Sequence, residues 1–257
     1  HPSFYRATRY AMETSCAVTA VSRWLSEETE REFQLSKPVR TIYNFLDTER
    51  FRPRRGNRAA LAEPGEKILM HVSNFRPVKR VTDVVRVFKK VLEQLPARLV
   101  MVGDGPERLS AVGVAKQLGI ADKILYLGNC ENIEDLLPCA DLLIQPSEHE
   151  SFGLVPLEAM ACEVPVIVTN SGGITEVVAH GETGYLCEVG DIETMAHFAV
   201  QVLKDPKRAR EMGRRGRAHV MEHFPRDLIV GHYEALYTEV LEQRARQVQQ
   251  DGYFSDI

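Results

Sequence analysis

From Lys67 onward the chain repeats one rhythm. A short, continuously apolar run is followed by a helical pattern, and then by another apolar run. "KILMHVS" (67–73), "ARLVMVG" (97–103), "KILYLG" (123–128), "DLLIQPS" (141–147), "VPVIVTN" (164–170) and "TGYLCEV" (183–189) read as strands. Between them lie an amphipathic helix at 81–95, a helix ending near Leu118, a short helix around "IEDLLPCA", a helix after Gly153 and a helix over "ITEVVAH". A strand that is apolar along its whole length is buried on both faces. Strands of that kind separated by helices make a parallel sheet covered on both sides. The expectation is a doubly wound, Rossmann-like α/β domain over residues 67–205.

The flanks differ from this core. Residues 16–22, "CAVTAVS", and 39–45, "VRTIYNF", are strand candidates on either side of a helix that opens at Ser22 or Ser26. "RFRPRRGNRAALAEPGE", with two prolines, two glycines and five arginines, reads as a linker across 44–66, its arginines those of a solvated connector. Two arginine-rich helical stretches divided by Pro225 occupy 206–257, and the last residues, "QQDGYFSDI", are expected to fray. The opening His-Pro-Ser, without methionine and already entering a helical pattern, suggests the remainder of something longer.

Composition narrows the class. Across 257 residues, 44% hydrophobic and 26% charged, a formal charge of −4 gives no support to nucleic acid as a partner. No apolar run reaches the length of a membrane span and no signal-peptide plan is present, so membrane insertion is not expected and the location is expected to be cytoplasmic. Cys16, Cys130, Cys139, Cys162 and Cys187 have no ligand spacing and read as reduced, mostly buried thiols.

In open α/β sheets ligands lie beyond the carboxyl ends of the strands. There, "HESFGLVPLEAMA" (149–161) is a strand exit loop turning into a helix, with Pro156 tolerated in the first turn. The amides of Phe152, Gly153, Leu154 and Val155 would point out of the helix end as an anion or polyhydroxyl cradle. Glu150 precedes this nest, and Glu158 lies about one turn inside the helix. A nucleotide sugar fits that order, with sugar hydroxyls at Glu150, diphosphate at the helix end and ribose hydroxyls at Glu158. Countercharge is available from "SNFRPVKRV" (73–81), where Arg76, Lys79 and Arg80 follow a strand on the same sheet edge.

"HVSNFRPVKRVTDVVRVF", "LVMVGDGPE", "ESFGLVPLEAMACEVPVI" and "SGGITEVV", in this order, resemble the carboxyl-terminal half of glycosyltransferase family 4, retaining enzymes of the GT-B fold. The resemblance implies that Glu150 contacts the donor sugar, that Glu158 binds ribose, and that Ser151 to Val155 hold sugar and phosphate. It implies that Lys79 neutralises the diphosphate and that the loop from Asn129 to Ile133 flanks the uracil. Many members carry an arginine where this chain has Asn74, so Arg76 is expected to take over its part.

It also implies that residues 1–43 are the tail end of an incomplete amino-terminal Rossmann-like (acceptor) domain and that 206–257 cross back towards it. "TAVS", "YNFLD" and "SNFRPVKRV" point, within the family, to transfer of N-acetylglucosamine from UDP-N-acetylglucosamine to a small anionic hydroxy acid, L-malate, in bacillithiol synthesis. Front-face attack is implied, with the leaving diphosphate accepting the proton. No acidic pair with metal spacing lies near the site, so neither metal nor other cofactor is expected. This chain alone is expected to be inactive, and a homodimer is left open. Other UDP-sugars or acceptors, a GT-B sugar-nucleotide epimerase and a non-catalytic UDP-sugar-binding module are the alternatives.

Overall fold

The computed structural model describes residues 2–252, which divide into two compact units. One unit combines residues up to Phe45 with those from Phe224 onward, and the other runs from Leu46 to His223.

In the first unit, α1 (Pro2–Thr14) precedes β1 (Val18–Ala20), α2 (Arg23–Phe33) and β2 (Val39–Thr41), and β1 and β2 pair in parallel. Ser22 caps α2 by accepting from the Leu25 amide at 3.1 Å, and Ser26 lies inside the helix, donating to the Val39 carbonyl. The last helix, α9 (Arg226–Gly252), belongs to the same unit. Its Ile229 and Leu236 bury against Ile42, and Arg40 pairs with Glu239.

The second unit is built on a six-stranded, wholly parallel sheet. Its strands are β3 (Lys67–Val72), β4 (Ala97–Val102), β5 (Ile124–Gly128), β6 (Leu142–Gln145), β7 (Val166–Thr169) and β8 (Gly184–Cys187). The order is β5-β4-β3-β6-β7-β8, so the chain begins at the centre, builds outwards to β5, and returns to the centre to build the other half. The point of reversal lies between β3 and β6. Every residue of β6 and β7 is buried, as expected of strands covered on both faces.

Helix α3 (Val81–Leu92) carries a run of valines with no strong helix propensity. It is helical because Val81, Val84, Val85, Phe88 and Val91 recur at helical spacing and are all fully buried. Packing of that face outweighs the intrinsic cost. The remaining helices of the unit are α4 (Arg108–Gln117), the single-turn α5 (Ile133–Leu136), α6 (Leu154–Ala161), α7 (Ile192–Lys204) and α8 (Pro206–His223).

One sequence reading is corrected. "ITEVVAH" forms no α-helix, only a 3₁₀ turn over Gly173–Glu176: Ile174, Val177 and Val178 are buried at helical spacing, but the run is short and the flanking amides of Gly173 and Ala179 donate instead to the Glu150 carbonyl and Thr183 Oγ1. The helix covering that side of the sheet is α7, whose Asp191 cap accepts from the Thr194 amide. The arginines between 50 and 58 are exposed apart from the half-buried Arg54, as a connector's are, but three of them have acidic partners. Arg50 pairs with Glu134 at 3.0 Å, Arg54 with Asp135 at 2.7 Å and Arg58 with Asp141 at 2.7 Å, while Phe51 and Leu61 are buried. These pairs connect the segment to α5 and to Asp141, the residue before β6.

Candidate active site at the sheet crevice

The reversal between β3 and β6 opens a crevice at their carboxyl ends, where a doubly wound sheet binds its ligand. Both exit loops carry the predicted residues. After β3, the 3₁₀ turn Pro77–Lys79 ends on Arg80, which adopts left-handed backbone (φ 48°) and starts α3. After β6, residues 146–153 lead into α6. The loops are joined directly, since the Glu148 amide donates to the Val78 carbonyl at 2.8 Å. The Arg80 side chain adds a second tie, to the buried Asp83 at 2.6 Å and across to Glu148 at 3.5 Å.

This framework brings Lys79 and Glu150 together. Lys79 Nζ lies 2.7 Å from Glu150 Oε1, with the two side chains only 19% and 13% exposed. The main chain of Glu150 is held from the other side by the turn after β7. Its carbonyl accepts from the Gly173 amide at 2.8 Å, and Ser171 Oγ donates to the neighbouring Glu148 carbonyl at 2.6 Å. Gly172 makes this approach feasible, because a Cβ there would stand 2.3 Å from the Glu150 carbonyl oxygen and φ is 82°.

Gly153 also has left-handed backbone (φ 99°) and turns the chain into α6. The amides of Gly153, Leu154 and Val155 donate to no backbone carbonyl among the described residues, leaving the helix end polarised towards an anion. Phe152 is buried, whereas Ser151 and Leu154 are exposed. Glu158, one turn further in, is half-buried. Burial pushes its carboxyl up to about 7, with Arg50 opposing and Glu134 reinforcing the shift. Arg50 itself donates to Glu134 through Nε and Nη2, at 3.0 and 3.1 Å.

The remaining predicted residues are spread around the crevice. Arg76 and Asn74 are exposed on the β3 exit loop, and Arg76 makes no ion pair among the described residues. Asn129 is exposed beyond β5, and Ile133 is the first residue of α5, beside Glu134. His149 faces Ser171 Oγ at 3.2 Å.

Other groups carried little sequence signal. Gly172 and Gly173 stand in the motif "SGGITEVV", but nothing in it marks their turn as a support for Glu150. His71, on β3, is fully buried, with Nδ1 donating to the Ile144 carbonyl at 2.9 Å and Nε2 accepting from Ser73 Oγ at 2.8 Å. Burial holds it down to about 4, so it is neutral. Gln145, the last residue of β6, is buried and donates to Glu150 Oε1 at 3.3 Å. Nothing in an apolar run marks such a residue in advance.

Residues 54–219 match the family Glycosyl transferases group 1. The chain belongs to that family. Among similar curated proteins of the family is the N-acetyl-alpha-D-glucosaminyl L-malate synthase of Bacillus anthracis. It is 48% identical over 244 residues, which cover 93% of this chain and 64% of that protein. The D-inositol 3-phosphate glycosyltransferase of Nocardia farcinica is 35% identical over 188 residues, covering 67% of this chain and 41% of that one. The chain thus spans less than two thirds of the length of these curated relatives.

Among solved structures, the sucrose-phosphate synthase of Thermosynechococcus elongatus superimposes with a TM-score of 0.86 at 26% identity, over 95% of this chain and 63% of that one. HepE of Anabaena, solved in complex with UDP and glucose, gives 0.83 at 21% identity, over 92% and 67%. The fold of this family member is the GT-B glycosyltransferase fold, with its six-stranded parallel sheet. No helix among the described residues is long and apolar enough to cross a membrane.

Proposed function

We propose that this group 1 glycosyl transferase moves N-acetylglucosamine, with retention, from UDP-N-acetylglucosamine to L-malate, the first step of bacillithiol synthesis. The observation that carries the reading is the meeting of Lys79, Glu150 and the open amides of α6 at the point where the sheet reverses. One cation, one carboxylate and a helix end within one crevice answer a sugar diphosphate: charge for charge, and hydroxyl for carboxylate. The choice of N-acetylglucosamine and malate is supported by the 48% identity to the malate synthase.

In this scheme Lys79 and the α6 amides hold the diphosphate, while Glu150 orients the sugar. The acceptor hydroxyl attacks the anomeric carbon on the face that the diphosphate is leaving, and its proton passes to the departing phosphate oxygen. The C–O bond to UDP breaks as the bond to malate forms. Charge on the leaving UDP is stabilised by Lys79 and the helix end, without a metal ion. Glu158 accepts from the ribose hydroxyls, and the loop from Asn129 to Ile133 borders the uracil.

The two glutamates test the assignment. Glu158→Gln is expected to weaken UDP and UDP-N-acetylglucosamine alike. Glu150→Gln does not weaken UDP, because it only frees Lys79 from a competing carboxylate, but it lowers malate-dependent UDP release, because a group held at the reacting centre is disturbed. Calorimetry and UDP-release assays on the complete protein read both. If Glu150→Gln abolishes UDP binding while Glu158→Gln spares it, the polarity of the site is reversed.

A further inference from the structure

β6 is the central strand next to the reversal, and three of its four residues, Leu142, Leu143 and Ile144, are apolar and fully buried. The fourth is Gln145, only 2% exposed. Its amide nitrogen reaches Ser147 Oγ at 3.4 Å and Glu150 Oε1 at 3.3 Å, so both hydrogens have acceptors. Its oxygen is buried and has no hydrogen-bond partner among the described residues. Turning the amide over would set that oxygen against a carboxylate that can only accept, so Glu150 fixes its orientation.

A buried amide with one orphaned acceptor is unfavourable, and a leucine or methionine would fill the same space without that cost. The sheet therefore has no structural need for Gln145, whose hydrogen bonds run only to the exit loop of its own strand. Glu150 Oε1 accepts from both Lys79 Nζ and Gln145 Nε2, while Oε2 accepts no hydrogen bond among the described residues.

We propose that Gln145 is a positioning residue that holds Glu150 in place when Lys79 turns to the diphosphate. The proposal rests on the donor-site reading above. A diphosphate carries more charge than the carboxylate and draws Lys79 away from Oε1. Without a second donor, Glu150 would then be free to swing. The neutral amide remains as that donor, keeps Oε1 fixed and leaves Oε2 for a sugar hydroxyl. An amide suits the position because a second cation would compete with the sugar for Glu150, and a hydroxyl would be too short to reach it.

The test is calorimetry with UDP and with UDP-N-acetylglucosamine on the wild type, Gln145→Met and Gln145→Glu, alongside thermal unfolding. Gln145→Met is expected to melt no lower than the wild type, since it removes the orphaned atom. It should keep UDP affinity within about twofold and lose about tenfold for UDP-N-acetylglucosamine. Relative to the wild type at the same pH, Gln145→Glu should lose more at pH 8, where it repels Glu150, and recover at pH 5.5, where a protonated carboxyl can donate as the amide does. Gln145→Met should show no such recovery. A lower melting temperature, with both ligands weakened equally, would mean that Gln145 only packs, and would overturn the proposal. A wild type that binds neither ligand would overturn the donor-site reading first, and this one with it.

Discussion

Lys79 and Glu150 neutralise each other across 2.7 Å in a partly buried crevice, so a ligand that takes the lysine must offer more than the carboxylate it displaces. A diphosphate does and an uncharged nucleoside does not. Lys79→Ala is therefore expected to weaken UDP by about 1 to 3 kcal/mol while leaving uridine binding nearly unchanged. Competition calorimetry with the two ligands measures the difference, and equal losses would mean a damaged fold. Glu158 poses a different electrostatic problem. Its carboxyl titrates near 7 in the folded protein instead of at 4.5, chiefly because it is buried. Between those values the folded state holds a proton that the unfolded chain has released, so stability falls as pH rises through that window and is lowest above 7. Glu158→Gln should flatten this slope in melts taken from pH 5 to 8. A ribose diol that donates to Glu158 requires the carboxylate, so UDP binding should release a proton at pH 6 and almost none at pH 8.5. Calorimetry in buffers of different ionisation enthalpy detects that proton, and an unchanged stoichiometry across this range would remove Glu158 from the ribose.

Among elements, the turn after β7 contributes most to the site without touching a ligand in the proposed scheme. It supports Glu150 through its backbone, and Gly172 is the residue that permits the approach. Gly172 and Gly181 share a positive φ, 82° and 80°, but Gly172, with ψ −158°, lies in a region essentially confined to glycine, whereas nothing lies within 4 Å of a Cβ at Gly181. Gly181→Ala should cost only the left-handed strain, about 1 kcal/mol. Gly172→Ala adds a contact of 2.3 Å with backbone that cannot move aside cheaply, and should cost clearly more while also lowering turnover. Equal melting temperatures for the two variants would show that the turn relaxes freely. What the sequence reveals follows the same division. The strands are legible because each is apolar throughout, and the start of α6 is legible because Gly153 and Pro156 punctuate it. "ITEVVAH" misleads because Ile174, Val177 and Val178 do recur at helical spacing, while the flanking amides of Gly173 and Ala179 are taken by Glu150 and Thr183, which no local pattern shows. Helix α7, over "IETMAHFAVQVLK", follows the last strand reading and has a recognisable Asp191 cap, but no reading along the chain assigned it. Gln145 could not be read at all, since its meaning depends on Glu150 folding back beside it, and the connector arginines likewise acquire partners only in three dimensions.

At the scale of the molecule, the order β5-β4-β3-β6-β7-β8 explains why residues 71 positions apart in sequence, Lys79 and Glu150, meet at all. The chain leaves the sheet's centre on β3, completes one half, and re-enters beside its own starting strand. The exit loops of β3 and β6 are thereby adjacent, with no strand between them. The groups of the proposed donor site, from Lys79 and Glu150 to Glu158, lie with Arg50 and Gly172 within the unit Leu46–His223. A nucleotide held only by these groups stabilises that unit by mass action, by about 2.7 kcal/mol at a hundredfold excess over its dissociation constant. Hydrogen exchange with and without UDP should then slow amides of the β3 and β6 exit loops, the first turn of α6 and the strands β3 and β6 themselves. Amides of β1, β2 and α9, in the other unit, should exchange at unchanged rates. Protection of β1 and β2 equal to that of β3 and β6 would show that UDP engages both units, and the donor site would have to be redrawn to include residues before Leu46.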